Sequence, residues 1–133
     1  MNNLINDVKD FHKACDLPDE PAPCWPTTED MMLRQSLITE EHDEFVQALR
    51  DRDLLGVADA LGDMIYVIVG TALTFGIPLD SVWNEIHLSN MTKVGDDGKV
   101  RRREDGKILK PENWEEPDIF YALYRHDDDE RSL

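Results

Sequence analysis

The sequence has 133 residues, of which 41% are hydrophobic, and this length and composition suit one domain built around a single core. Acidic residues outnumber basic residues by 29 to 14, so the formal net charge at pH 7 is −15. Such a charge repels nucleic acid polymers and anionic membranes, which excludes both as non-specific partners. An anionic small molecule would need a cation to mediate its binding.

Cysteine spacing and the longest apolar stretch bear on the location of the protein. Cys15 and Cys24 do not form a Cys-x-x-Cys pair and no signal peptide precedes them, so reduced thiols in a cytoplasmic protein are expected. The stretch Met64–Leu79 is short and is interrupted by Gly76 and Pro78. We therefore expect a buried helix there and no association with a membrane.

Helical spacing of apolar residues predicts two helices in the first part of the chain. The first covers Asn2–Cys15, and the loop Pro18–Pro26 follows it, because four prolines exclude a helix interior or a central strand. Thr27 or Thr28 can cap a second helix that has two acidic residues in its first turn. The helical pattern continues until Asp51–Asp53 breaks it.

Two further helices are predicted in the middle of the chain. The third runs from about Leu54 to Phe75 and ends at Gly76. Between Met64 and Ala72 it is apolar nearly all round, as expected for the centre of a bundle. The fourth begins near Pro78–Asp80 and is expected to stop by residue 93 or 94.

The rest of the chain lacks helical periodicity. Gly95, Gly98 and Gly106 alternate with Asp and Lys, which predicts turns and allows a short β-hairpin. His126–Leu133 has the composition of a solvated acidic tail. The predicted fold is thus an all-α bundle of four main helices with a short irregular or hairpin-containing C-terminal segment.

Three glutamates interrupt the apolar side of the second helix. Glu40 and Glu44 continue a row of leucines, and Glu41 lies in the neighbouring apolar row. An unpaired buried carboxylate costs on the order of several kcal/mol, so such groups need a shifted pKa, a basic partner or a metal. The alternative is a solvated acidic helix face, which is common in a chain this acidic.

The third helix places acids in the same way. Asp59 and Asp63 lie one turn apart, and Tyr66 continues their row, while isoleucines occupy the other face. Two acid-bearing helices can therefore face each other. Five carboxylates with no histidine or cysteine at ligand spacing favour Mg²⁺, with Mn²⁺ as the second choice.

Three segments together carry a resemblance to a known superfamily: Glu-Glu-His-Asp-Glu at 40–44, Asp-Ala-Leu-Gly-Asp-Met-Ile-Tyr-Val at 59–67 and Glu-Ile-His-Leu-Ser-Asn-Met-Thr-Lys at 85–93. In this order they resemble the all-α nucleoside triphosphate pyrophosphohydrolases. That superfamily includes MazG-like, phosphoribosyl-ATP pyrophosphohydrolase-like and dimeric dUTPase-like enzymes. The resemblance spans roughly residues 28–118.

The resemblance implies a magnesium-dependent hydrolase that cleaves a nucleoside triphosphate to the monophosphate and pyrophosphate. It implies Glu40, Glu41, Glu44 and Asp63 as metal ligands. The family has a glutamate three residues before the last of these, where this chain has alanine, so Asp59 is expected to substitute. Glu41 is the expected general base, with Glu44 as its competitor.

The remaining expectations concern the substrate and the assembly. Tyr66, Asn90, Lys93 and Arg101 are the candidate substrate-binding residues, although Lys93 could instead stabilise the end of a helix and the run 101–103 could form surface salt bridges. Related enzymes assemble their bundle from two subunits, so a homodimer or dimer of dimers is expected.

Three functions remain open at this point. The first is hydrolysis of a (deoxy)nucleoside triphosphate, with dUTP among the candidates, in cleansing of the nucleotide pool. The second is hydrolysis of phosphoribosyl-ATP. The third is a non-catalytic, acidic helical interaction protein.

Overall fold

The computed structural model of the chain describes residues 2–125, which contain five α-helices and no named strand. The all-α class predicted from the sequence is confirmed. His126–Leu133, the predicted acidic tail, lies outside the described residues. The described residues group into two compact units, which divide between Pro78 and Leu79.

The first unit begins with α1, Asn2–Ala14, which buries Val8 and His12 one turn apart and packs against α3 (Leu54–Phe75). The proline-rich loop then runs beside the end of α3. The Glu20 amide donates to the carbonyl of residue 73 and the Cys24 amide donates to that of residue 75, each at 2.9 Å. These two backbone hydrogen bonds hold the loop against the end of α3, since its prolines have no N–H group to donate.

The second helix, α2, spans Thr28–Arg50. The Thr27 hydroxyl accepts a hydrogen bond from the Asp30 amide, so this residue is the N-cap, and the helix ends at Asp51. Both ends agree with the sequence prediction. The helix packs against α3, with Arg34 and Ala48 buried.

The third helix, α3, has the predicted bounds, with Asp53 as its N-cap and Gly76 as its C-cap. The C-cap glycine has a φ of 67°, and a Cβ there would collide with the carbonyl oxygen of Ala22 in the proline-rich loop. Glycine is therefore required at this position for both its backbone conformation and its lack of a side chain.

The prediction that α3 is buried holds for its last two turns, where five of its six buried residues lie between Val69 and Thr74. Before them the prediction is wrong on one side of the helix, because Leu61, Ile65 and Ile68 are 44–48% exposed. By length and composition alone α3 could cross a membrane, with a mean hydropathy of 1.6, but the core helix of a soluble protein has the same properties.

The second unit contains α4, Leu79–Met91, packed on α5, Ile119–Tyr124. The fourth helix stops two or three residues earlier than predicted, where the Thr92 hydroxyl donates to the carbonyl of Ser89. The fifth helix was not predicted, and Asp118 caps it. The sequence allowed a short β-hairpin in this unit. Within the described residues, an isolated antiparallel bridge between residues 102 and 108 is formed there.

Candidate metal centre

Three carboxyl groups converge in the first unit. Glu41 and Glu44 lie one turn apart on α2, and Asp63 lies on α3, which packs against it. One oxygen from each lies within 4.8 Å of the other two. We call these three residues the acidic cluster.

Glu41 is the most perturbed member of the acidic cluster. Its Oε2 atom is buried and has no hydrogen-bond partner among the described residues. Desolvation, a hydrogen bond with Glu44 and the charges of Glu44, Asp63 and Glu40 raise the pKa of Glu41 to about 7. A carboxyl group of this kind favours a proton or a cation at neutral pH.

The donor set of the acidic cluster suits a hard divalent cation. A cation would supply the partner that Glu41 Oε2 lacks and would offset the repulsion among the three carboxylates. All three ligands are oxygens held on helices, and no histidine or cysteine is in the cluster. These residues therefore fit Mg²⁺, with Mn²⁺ as an alternative.

The other two predicted metal ligands are placed differently. Glu40 is exposed, but it lies close enough for its charge to raise the pKa of Glu41. Asp59 is exposed and is not in the acidic cluster. It precedes Asp63 by about one helical turn, towards the start of α3.

A cavity of about 710 Å³ lies along one face of α2 and includes part of the acidic cluster. Its lining residues are Met32, Gln35, Ser36, Thr39, Glu40, Asp43, Glu44 and Gln47. Glu44 belongs to both the cavity and the acidic cluster, so a molecule in the cavity reaches a cluster carboxylate directly. Its volume is within the range of small-molecule binding sites.

Tyr66 faces α1. Its ring packs edge-on against Phe11, with 5.7 Å between the ring centroids. It also lines a small cavity of about 70 Å³ together with residues of α1 such as Asp7. The structure therefore places this predicted substrate-binding residue beside α1, outside the acidic cluster.

The other candidate substrate-binding residues lie in the second unit. Asn90 is in the last turn of α4, and its Oδ1 accepts a hydrogen bond of 3.0 Å from Lys93 Nζ. In the run 101–103, Arg103 forms an ion pair of 2.7 Å with Asp105. Arg101 is exposed and has no side-chain partner within the part of the chain that the structure describes.

The sequence analysis missed one feature of α2, which is the burial of Arg34. Its side chain bonds to α3 at Val67 and Thr71. The available signal was its position in the sequence, seven residues before Glu41 and therefore on the same side of the helix.

Comparisons with known proteins identify the family of the chain. A sequence model of the phosphoribosyl-ATP pyrophosphohydrolase family matches residues 8–90, which include the whole acidic cluster. The chain is also similar to an uncharacterised protein of Acanthamoeba polyphaga mimivirus, with 46% identity over 48 residues. That match covers 36% of this chain and 19% of the viral protein, so the chain spans only a small part of this relative's length.

Proposed function

Because the chain belongs to the phosphoribosyl-ATP pyrophosphohydrolase family, we propose that it hydrolyses a nucleoside triphosphate to the monophosphate and pyrophosphate in a Mg²⁺-dependent reaction. The family supports a nucleotide pyrophosphohydrolase activity in general, and the acidic cluster supplies the chemistry that such an activity needs. Glu41, Glu44 and Asp63 are the proposed metal ligands. Glu40 is a further ligand within reach of the same site.

One observation carries the proposal: Glu41 Oε2 is buried without a hydrogen-bond partner among the described residues, close to carboxylates that repel it. Folding an acidic cluster in this way costs free energy, which cation binding would return. A purely structural acidic surface would keep its carboxylates in water. This difference favours a metal site over a non-catalytic interaction protein.

Two substrates remain candidates. A (deoxy)nucleoside triphosphate, including dUTP, would place the protein in cleansing of the nucleotide pool. Phosphoribosyl-ATP is favoured by the description of the matched family itself. Both contain a triphosphate that is cleaved between the α- and β-phosphates, so one acidic cluster suits either of them.

The metal ion and the glutamates have different proposed roles in hydrolysis. When bound, Mg²⁺ supplies charge that draws electrons from the α-phosphorus and stabilises the leaving pyrophosphate. Glu41 is the proposed general base, and Glu44 is its competitor. The base takes a proton from water as the water oxygen bonds to the α-phosphorus, and the bond to the bridging oxygen breaks so that this oxygen leaves with pyrophosphate.

Cationic and polar side chains would bind the substrate phosphates. Lys93, Asn90 and Arg101 are the proposed phosphate ligands, since each carries hydrogen-bond donors and Arg101 has no competing partner within the described residues. Tyr66 stays a proposed contact to the substrate, reached from the α1 side of α3.

We also propose that the protein acts as a homodimer or a dimer of dimers in the cytoplasm. The support is the exposed apolar side of α3, where Leu61, Ile65 and Ile68 would be shielded from water by a second copy of the chain. The net charge of −15 argues against nucleic acid polymers and anionic membranes as partners.

The first experiment is a product assay. Purified protein is incubated with ribo- and deoxynucleoside triphosphates and with phosphoribosyl-ATP, with and without Mg²⁺, and the phosphates are separated by chromatography. We expect monophosphate and pyrophosphate only with Mg²⁺, and a loss of roughly 10²–10⁴-fold in turnover in Glu41→Gln. Formation of diphosphate and orthophosphate would show that a different phosphate bond is cleaved. The absence of turnover on every substrate would contradict the proposed enzymatic activity.

A further inference from the structure

A buried arginine joins the two helices that carry the acidic cluster. Arg34 on α2 is 6% exposed. Its Nε donates to the Thr71 hydroxyl at 3.1 Å and its Nη2 donates to the Val67 carbonyl at 2.9 Å, and both acceptors are on α3. The same hydroxyl donates to the same carbonyl at 2.7 Å, so the three groups form one hydrogen-bonded set.

Burial of this guanidinium is unfavourable by itself. Desolvation lowers the pKa of Arg34, and the charge of Asp30 only partly opposes the effect. Within the described residues, the guanidinium donates to a hydroxyl and a carbonyl, which are neutral acceptors. A buried charge without a hydrogen-bonded counter-ion is a poor source of stability, which suggests another reason for its presence.

A glycine on α3 makes the close approach of Arg34 possible. A Cβ at Gly70 would lie 2.5 Å from Arg34 Nη2 and 2.7 Å from Nε2 of His12. The imidazole is itself buried and donates from Nδ1 to the Pro18 carbonyl at 2.7 Å. A side chain at residue 70 would therefore displace a group that is already hydrogen-bonded and enclosed.

Helix geometry places Arg34 and its acceptors one or two turns from the ligands of the acidic cluster. Arg34 and Glu41 are seven residues apart, about two turns, and so lie on the same side of α2. Val67 and Asp63 are four residues apart, about one turn, on α3. The bonds from Arg34 therefore fix α2 against α3 beside the turns on which the cluster ligands are placed.

The observed link between Arg34 and the acidic cluster is geometric. Its guanidinium donates to Thr71 and Val67 on α3, whereas the charges that raise the pKa of Glu41 are those of Glu44, Asp63 and Glu40. An influence of Arg34 on the cluster would therefore act through the placement of α2 against α3.

We propose that Arg34 is a positioning residue for the acidic cluster: its two bonds to α3 hold α2 in the register at which Glu41 and Asp63 offer oxygens to the same cation. The inference rests on the proposed function, since it requires that the cluster binds a divalent cation. Residues that support metal ligands from outside typically change metal affinity by about 10–100-fold when they are lost.

The test is titration of the nucleotide-free full chain with Mg²⁺ in a calorimeter, at a temperature where circular dichroism shows each variant folded. Arg34→Met removes both bonds, and Arg34→Lys keeps the charge but lacks the rigid fork of donors. We expect both to raise the Mg²⁺ dissociation constant by about 10–100-fold. Gly70→Ala should have the same effect, because it displaces the guanidinium.

Matched variants on α3 separate positioning from general damage. Gly62→Ala adds the same methyl group to the same helix, but no heavy atom lies within 4 Å of it, so Mg²⁺ affinity should stay at the wild-type value. Thr71→Val removes the acceptor of the Arg34 Nε bond, whereas Thr71→Ser keeps it, so only the valine variant should weaken binding. If Arg34→Met fails to fold, the two Thr71 variants still test the inference.

The outcomes distinguish the inference from the proposed function. Wild-type Mg²⁺ affinity in Arg34→Met, or in Thr71→Val, would assign the arginine to fold stability alone and overturn the inference. Full affinity in Arg34→Lys would assign it to charge and also overturn the inference. A wild-type chain that binds no Mg²⁺ would overturn the proposed function together with the inference.

Discussion

Glu41 and Glu44, one turn apart on α2, place carboxyl oxygens within 4.8 Å of each other. Desolvation and the neighbouring acids raise the pKa of Glu41 to about 7, so this group holds a proton below neutral pH. In the absence of metal, the proton offsets part of the repulsion within the acidic cluster. A divalent cation would replace it.

The stability of the metal-free protein should therefore depend on pH through Glu41. Its pKa is higher in the folded chain, about 7, than the ordinary value of 4.5, so the folded state binds the proton more tightly. The resulting stabilisation is complete below about pH 4.5 and is lost as the pH rises through about 7. Urea unfolding in EDTA across this range measures the loss.

Glu41→Gln should remove this pH dependence. At pH 8 the metal-free variant should be more stable than the wild-type chain, and near pH 4.5 the two should agree, because both then carry a neutral group. Glu112→Gln, a change at an exposed acid, serves as the control. If the free energy of unfolding changes equally with pH in the wild type and in Glu41→Gln, Glu41 does not titrate in this range.

Mg²⁺ binding should release protons below neutral pH. A cation on the acidic cluster needs Glu41 as a carboxylate, so at pH 6 binding should release close to one proton, and at pH 8 it should release almost none. Calorimetry in buffers with different ionisation enthalpies counts the protons. Proton release that is the same at both pH values would place the cation elsewhere.

Two arginines in the same loop should differ in their effect on substrate binding. Arg101 has no side-chain partner within the described residues, whereas Arg103 is paired with Asp105. We expect Arg101→Ala to raise the KM for the triphosphate by about tenfold, the equivalent of one charge-assisted hydrogen bond. Arg103→Ala is the matched control, and an equal rise in both variants would indicate a general charge effect.

Stability should be sensitive to the C-cap of α3. Gly76→Ala places a Cβ at a positive φ and against the Ala22 carbonyl, so we expect a loss of about 2–4 kcal/mol in the free energy of unfolding. Gly98 has a similar φ, but a Cβ there would meet no heavy atom within 4 Å. Gly98→Ala should therefore lower the free energy of unfolding by only about 1 kcal/mol. Equal losses would show that the contact with the loop contributes nothing.

Much of the fold could be predicted because the ends of the long helices carry their own chemistry. The hydroxyl of Thr27 marks the start of α2, and Gly76 marks the end of α3 through its φ. The short helix α5 has six residues, which is too few for an apolar period to show. Its capping residue, Asp118, was the available signal.

The candidate site could be predicted in part. Helical spacing placed Glu41, Glu44 and Asp63 on facing sides of two helices, and the structure brings them together. Helical spacing could not show that Asp59 stays outside the cluster, because the period places Asp59 and Asp63 on the same face and does not show which of them faces α2 closely enough to meet Glu41. Nor could it show the role of Arg34, whose acceptors are a carbonyl and a hydroxyl on another helix.

The last prediction concerns assembly through α3. Ile68 is 44% exposed on the apolar side of this helix, and burying it in an interface would make a charge there unfavourable. Ile68→Glu should therefore convert the homo-oligomer to a monomer in light scattering after size-exclusion chromatography. Leu88→Glu, at an exposed apolar residue of α4, is the matched control, and its mass should remain that of the wild type if the interface is confined to α3. A monomeric wild-type chain would contradict the proposed assembly, and an oligomer that tolerates Ile68→Glu would place the interface on a different surface.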